Sequence, residues 1–138
     1  MTVLASSWLA ASAGADTLKE QARKAVTAGL EAQNAGRYDE AIAHYRRAYD
    51  AVPHHEILFN LAQAHRLKGD TEAALGFYQR YLVVEPRGRV TADARKWVSV
   101  LEKLVAQQKS DDARKAEDAR KAEDARKAED VRKAEEAR

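Results

Sequence analysis

The side chains best equipped for chemistry lie close together. His54, His55 and Glu56 are consecutive, with His44 and His65 to either side. Imidazoles and a carboxylate are zinc donors, but a zinc site needs them to converge tetrahedrally. The spacing does not bring them together. Adjacent histidines at a helix start point about 100° apart, and no H-E-x-x-H pattern or carboxylate–histidine pair at i, i+4 completes a tetrahedral set. His54, His55 and Glu56 read as solvent-facing turn and helix-start residues, and His65 as a packed core or groove-rim residue. The chain has no cysteine, which removes thiolate ligands, disulfides and a cysteine nucleophile. It also lacks a nucleophile elbow, a glycine-rich phosphate loop and a converging carboxylate pair. No catalytic, metal or cofactor-binding residue and no small-molecule substrate is predicted, so any function has to be carried by a binding surface.

Composition narrows the partner. The 138 residues are 33% charged with a net charge of +2, and the mean hydropathy is −0.64. A charge so nearly balanced does not single out a polyanion, so nucleic acid is not expected.

The elements that would present such a surface are helical and repeated. Gly36, Ala41, Tyr45 and Pro53 recur as Gly69, Ala74, Tyr78 and Pro86, each 33 residues later. The spacing predicts an all-α protein of two helical hairpins, about 22–54 and 55–88. The first helix is predicted to start at Thr17, whose hydroxyl forms a capping box with Glu20, and to end near Asn34. A second follows from Tyr38, with Ile42, Tyr45, Ala48 and Tyr49 at helical spacing, until Pro53 stops it. The third, His55 to Lys68, puts Leu58, Leu61, Ala62 and His65 on one face. Gly69 and Asp70 turn the chain, and a fourth helix runs to Pro86.

A stacked hairpin needs a lid that is apolar inside and polar outside. Residues 91–108 fit, with Thr91 as N-cap and Ala94, Trp97, Val98, Leu101, Leu104 and Val105 on one face. Residues 16–108 thus form one domain. From 109 to 138 the hexad Asp-Ala-Arg-Lys-Ala-Glu starts at Asp112, Asp118 and Asp124, with a Val131 variant from Asp130. Ten basic and ten acidic side chains balance there. Glu117–Lys121, Glu123–Lys127 and Glu129–Lys133 are i, i+4 pairs in the favourable order. Alanine or Val131 falls at every third position, advancing by about 300°, so the methyl groups spiral around the helix and leave no heptad seam. A solvated single helix is expected rather than a coiled coil, roughly 70 Å long if continuous from 91. At the other end, residues 1–15 carry no charge and end in small-x-small runs. They read as a secretory segment with the mature chain starting near Asp16, and hence a periplasmic or secreted protein. If 1–15 is instead a disordered N-terminus, the protein is cytoplasmic. The stretch is too short to span a bilayer, so membrane contact is at most indirect.

The repeat resembles the tetratricopeptide family. Leu58, Leu61, Ala62, His65, Gly69, Ala74, Tyr78, Tyr81 and Pro86 hold its signature positions in the second repeat, as do Ala25, Ala28, Gly29, Ala32, Tyr38, Ala41, Tyr45, Ala48 and Pro53 in the first. There the large residues usual in the first helix have become alanine, leaving it to pack either closely or loosely. The run Leu58 to Arg66 is similar to the bacterial envelope-associated branch, in which short repeat domains precede a charged helical linker; the tail resembles the helical spacer of the TolA envelope protein. The resemblance implies a right-handed α-solenoid whose first helices line a concave groove for a peptide or partner helix. By position the groove residues are Arg23, Thr27, Leu30 and Asn34 from the first repeat, and Phe59, Asn60, Gln63 and Arg66 from the second. The asparagine matching Asn60 hydrogen-bonds a ligand backbone in peptide-clamping members; Arg23 and Arg66 would take carboxylates, with Phe59 as apolar anchor. A non-enzymatic adaptor for a protein or peptide is therefore expected, the rival being a spacer or the N-terminal part of a larger envelope protein.

Overall fold

The computed structural model describes the backbone from Ser6 to Arg138 and the side chains from Gly14 on. The side chains on which the export reading of residues 1–15 rests therefore lie, up to residue 13, outside the described residues. Five helices follow in order: α1 (Ser6–Asn34), α2 (Tyr38–Ala51), α3 (His55–Lys68), α4 (Thr71–Val84) and α5 (Thr91–Glu136). The described residues contain no strand.

The hairpin turns are set by the residues that repeat. Gly36 and Gly69 adopt φ of 74° and 91°, the left-handed conformation that glycine takes without a Cβ penalty. Pro53 and Pro86 follow the ends of α2 and α4 by two residues, because the residue before a proline is driven out of the helical region. Asp70 caps α4 by accepting from the Ala73 N–H at 3.4 Å. Its other oxygen lies 3.1 Å from His65 Nδ1, so one carboxylate holds both ends of the turn.

Two helix starts differ from expectation. α1 does not begin at Thr17: it already runs from Ser6, the first described residue, which makes Thr17 a mid-helix residue and removes the capping box. The alanine-rich stretch from Ala10 to Ala15 has high helix propensity and no proline, so nothing stops the helix before Asp16. Thr91 does not cap α5 with its hydroxyl either. It is buried, and its Oγ1 donates backwards to the Glu85 carbonyl at 2.9 Å, closing the loop between α4 and α5.

Packing divides into two adjoining clusters. In the first, Ala41, Ile42, Tyr45 and Ala48 of α2 meet Ala22 and Ala32 of α1 and Ile57, Leu61 and Ala64 of α3. In the alanine-rich first repeat, packing is close rather than loose. Tyr45 is fully buried, and a Cβ on Gly29 would sit 2.5 Å from its Cε1. The missing side chain on α1 is thus filled by the ring from α2, which recovers apolar burial that alanine alone does not supply. Burial also pushes the Tyr45 phenol up to about 12. In the second cluster Leu58, Phe59 and Ala62 of α3 pack on Ala74, Tyr78 and Tyr81 of α4, with Ala94 and Leu101 of α5 as the lid. Burying each of the larger side chains stabilises the fold by roughly 1.5 to 3 kcal/mol. Leu104, placed on the same lid face by its spacing, is 52% exposed.

The chain forms two compact units, residues 1–102 and 103–138. Within the second, Glu117 pairs with Arg120 at 3.0 Å and Lys121 at 3.5 Å. Glu123 reaches Lys127 at 2.7 Å, and Glu129 reaches Arg132 at 2.8 Å and Lys133 at 3.5 Å. All three i, i+4 pairs expected from the hexad form, and the arginines add i, i+3 partners. Each exposed pair contributes about 0.2 to 0.5 kcal/mol, so this helix depends on their sum and on alanine propensity rather than on burial.

Candidate functional site, a cleft between the first helices of the two hairpins

Because α1 and α3 are the first helices of successive hairpins, the space between them is open on the side away from α2 and α4. A cleft of about 210 Å³ lies there, lined by Lys19, Ala22, Arg23 and Val26 of α1, by Val52 and His54, and by Glu56, Ile57 and Asn60 of α3. Its floor is aliphatic. Its rim carries two cations on α1, opposite a carboxylate and an amide on α3. The Arg23 guanidinium shares Glu20 at 3.2 Å but is 77% exposed, so the pair is weak and open to competition from another carboxylate. Glu56 is held loosely by Arg89 at 3.9 Å. His54 caps α3, its Nδ1 accepting from the Glu56 N–H at 3.3 Å, and its ring stacks on His55 at 4.2 Å. Helix-start geometry accounts for the placement of this histidine pair.

The eight groove residues expected from the repeat separate into several places. Arg23 and Asn60 meet in the cleft. Thr27 lines a different, shallow surface on α1 with Glu20, Lys24 and Glu31, and its hydroxyl donates to the Arg23 carbonyl at 3.1 Å. Leu30 and Asn34 are exposed further along α1, and Gln63 is half-buried on α3; none of these three reaches the cleft. Phe59 is not a surface anchor. It is 8% exposed, edge-on to Tyr78 at 5.5 Å and Tyr81 at 5.6 Å, and its work is packing the second hairpin. Arg66 is not a free clamp either, because its guanidinium lies 3.8 Å over the Trp97 ring. That contact fastens α5 to α3 and covers the half-buried indole, a geometry worth about 0.5 to 2 kcal/mol.

His65, read as core or rim, is core. It is 5% exposed and stacks on Phe77 at 5.3 Å. Among the described residues its Nε2 is buried without a hydrogen-bond partner.

Sequence reasoning did not select Lys19, Val52 or Ile57. Lys19 lies before the matched repeat and the other two look like core positions, so only the pairing of α1 with α3 brings them to one opening. A larger hollow of about 550 Å³ between α1 and α2 is lined by Gln21, Lys24, His44, Arg47 and three alanines. Its histidine and arginine are already engaged: Arg47 is 2.7 Å from His44 Nδ1, and Glu40 is 3.7 Å from His44 Nε2.

Two antiparallel hairpins under a capping helix, with an aliphatic cleft between their first helices, define a helical-repeat module of the kind that mediates protein–protein contacts. The family model described as Tetratricopeptide repeat matches residues 26–89, so this stretch of the chain is similar to that family. No curated protein matches the chain. The family is typically a non-catalytic scaffold.

Proposed function

We propose that the protein is a non-catalytic adaptor that holds a segment of a partner protein in the α1–α3 cleft. The observation that carries this reading is that Arg23 and Asn60 line one cleft together with the aliphatic Val26, Val52 and Ile57. At about 210 Å³ the cleft lies below the roughly 300 to 1,000 Å³ of small-molecule sites. Its size suits one or two aliphatic side chains of a peptide, whose backbone carbonyl or amide Asn60 bonds and whose carboxylate Arg23 receives. Residues 103–138 serve as a helical spacer that needs no partner to fold. A location in the bacterial cell envelope belongs to the same proposal, supported by the uncharged, small-residue-rich N-terminal stretch.

The test is a pull-down from fractionated cells with the full chain and its Arg23→Glu and Asn60→Ala variants. The partner is expected to be retained by the parent and lost from both variants. Retention by both, undiminished, refutes the cleft as the binding site.

A further inference from the structure

A second unfilled surface lies on the other side of the repeats, on α4. This helix turns Ala74, Tyr78 and Tyr81 into the core. A second row, Gly76, Arg80, Val83 and Val84, stands at i, i+4, i+7 and i+8, the spacing of a packing face. Val83 is 82% and Val84 60% exposed. With Tyr49 of α2 these residues line a hollow of about 570 Å³.

Two features of the row have no explanation inside the chain. Gly76 lies in the middle of a helix, where glycine is destabilising relative to alanine, yet a Cβ there would meet nothing within 4 Å. A close approach from outside supplies the reason that internal packing does not. Arg80 forms no ion pair among the described residues; its guanidinium lies 5.3 Å from the Phe77 ring and 5.7 Å from the Tyr49 ring. An arginine so positioned, beside two exposed valines, has room for a carboxylate. An antiparallel pairing of two copies through this row would be centred near Arg80 and would set two unpaired guanidiniums side by side, which disfavours a second copy as the occupant.

From the glycine, the exposed valines and the unpaired arginine together, we infer that the Gly76–Val84 face of α4 is a second docking surface. It receives an amphipathic helix of a partner protein, aliphatic along one stripe and with a glutamate or aspartate placed against Arg80. The helix packs closely at Gly76, covers Val83 and Val84, and sets its carboxylate on the guanidinium. This surface is independent of the α1–α3 cleft, so one protein can bridge two others.

The test uses the full chain, labelled with ¹⁵N, and two synthetic amphipathic helices of about five turns. The peptides carry leucines along one stripe and differ only in a central Glu or Lys. The Glu peptide is expected to shift the amides of Gly76, Arg80, Val83 and Val84 and to bind at least about tenfold tighter than the Lys peptide. Arg80→Glu is expected to invert that preference. Gly76→Leu, which enters open space and lowers neither the helical circular dichroism nor the melting temperature, is expected to abolish binding. No shift at these residues up to millimolar peptide overturns the proposal. So does equal binding of the two peptides, or a concentration-dependent dimer that Val83→Asp dissociates.

Discussion

Two glycines, each inside a helix, provide a sharp test of how the first hairpin packs. Replacing either with alanine makes the same local change and removes the same backbone entropy from the unfolded chain, a gain of about 0.5 to 1 kcal/mol. At Gly76 nothing opposes the gain, because no atom lies within 4 Å of the new methyl group. At Gly29 the methyl carbon would lie 2.5 Å from Tyr45 Cε1 and 2.7 Å from Cδ1, about 1 Å inside ordinary carbon contact. Relief by moving the ring is restricted, since Tyr45 is fully buried and its hydroxyl reaches Gln33 Oε1 at 3.4 Å. Overpacking of this kind costs about 1 to 3 kcal/mol. Gly76→Ala is therefore expected to stabilise by about 0.5 to 1 kcal/mol, and Gly29→Ala to destabilise by up to about 2.5 kcal/mol net. Urea unfolding followed at 222 nm reads both, with the slope checked to be unchanged. In a repeat domain of this size the two melting temperatures should move in opposite directions, each 1 kcal/mol giving about 4 to 8 °C. Equal stabilisation by the two substitutions would refute close packing of Tyr45 against α1.

Three further outcomes follow from the geometry. Arg66→Ala should lower the stability of the repeat unit by about 1 to 2 kcal/mol through loss of the Trp97 stack, and tryptophan fluorescence should shift to the red; a change in binding with no change in stability would return Arg66 to the groove. Burial raises the Tyr45 phenol from 10.0 to about 12, so the folded state holds its proton more tightly; the stability this gives is complete below pH 10 and is lost as pH rises towards 12, by about 2 to 3 kcal/mol. Burial moves Tyr78 in the same direction, and Tyr45→Phe should flatten part of the alkaline limb of a stability–pH curve. Asp70→Ala removes the α4 cap and the His65 partner together and should cost about 1 to 3 kcal/mol, whereas Asp70→Asn, which retains an acceptor for the cap, should cost less in the same denaturation assay.

What the sequence made legible follows from how local each cause is. Gly36 and Gly69, Pro53 and Pro86 act on their own backbone, so the turns and the ends of α1 to α4 fall where the repeat placed them. The hexad pairs Glu117–Lys121, Glu123–Lys127 and Glu129–Lys133 are set by helix geometry alone and form as expected. The start of α1 was not legible from Thr17 and Glu20, because the Thr-x-x-Glu pattern of a capping box also occurs inside a helix that has no reason to stop. The candidate site was legible only in part. Arg23 and Asn60 lie on the two first helices and both line the cleft between them. Phe59 and Arg66 depend on residues much further along the chain, Tyr78 and Tyr81 for one and Trp97 for the other. Helical spacing cannot tell a side chain that faces a groove from one that leans onto a neighbouring helix.

The central claim is that the α1–α3 cleft holds a peptide. Its most direct test is titration calorimetry with a peptide selected from a displayed random library on the full chain, measured against the parent, Arg23→Glu and Asn60→Ala. The expected result is a dissociation constant of about micromolar for the parent and a loss of at least about tenfold for each variant, equivalent to one charge-assisted hydrogen bond. Affinity unchanged in both folded variants would contradict the claim.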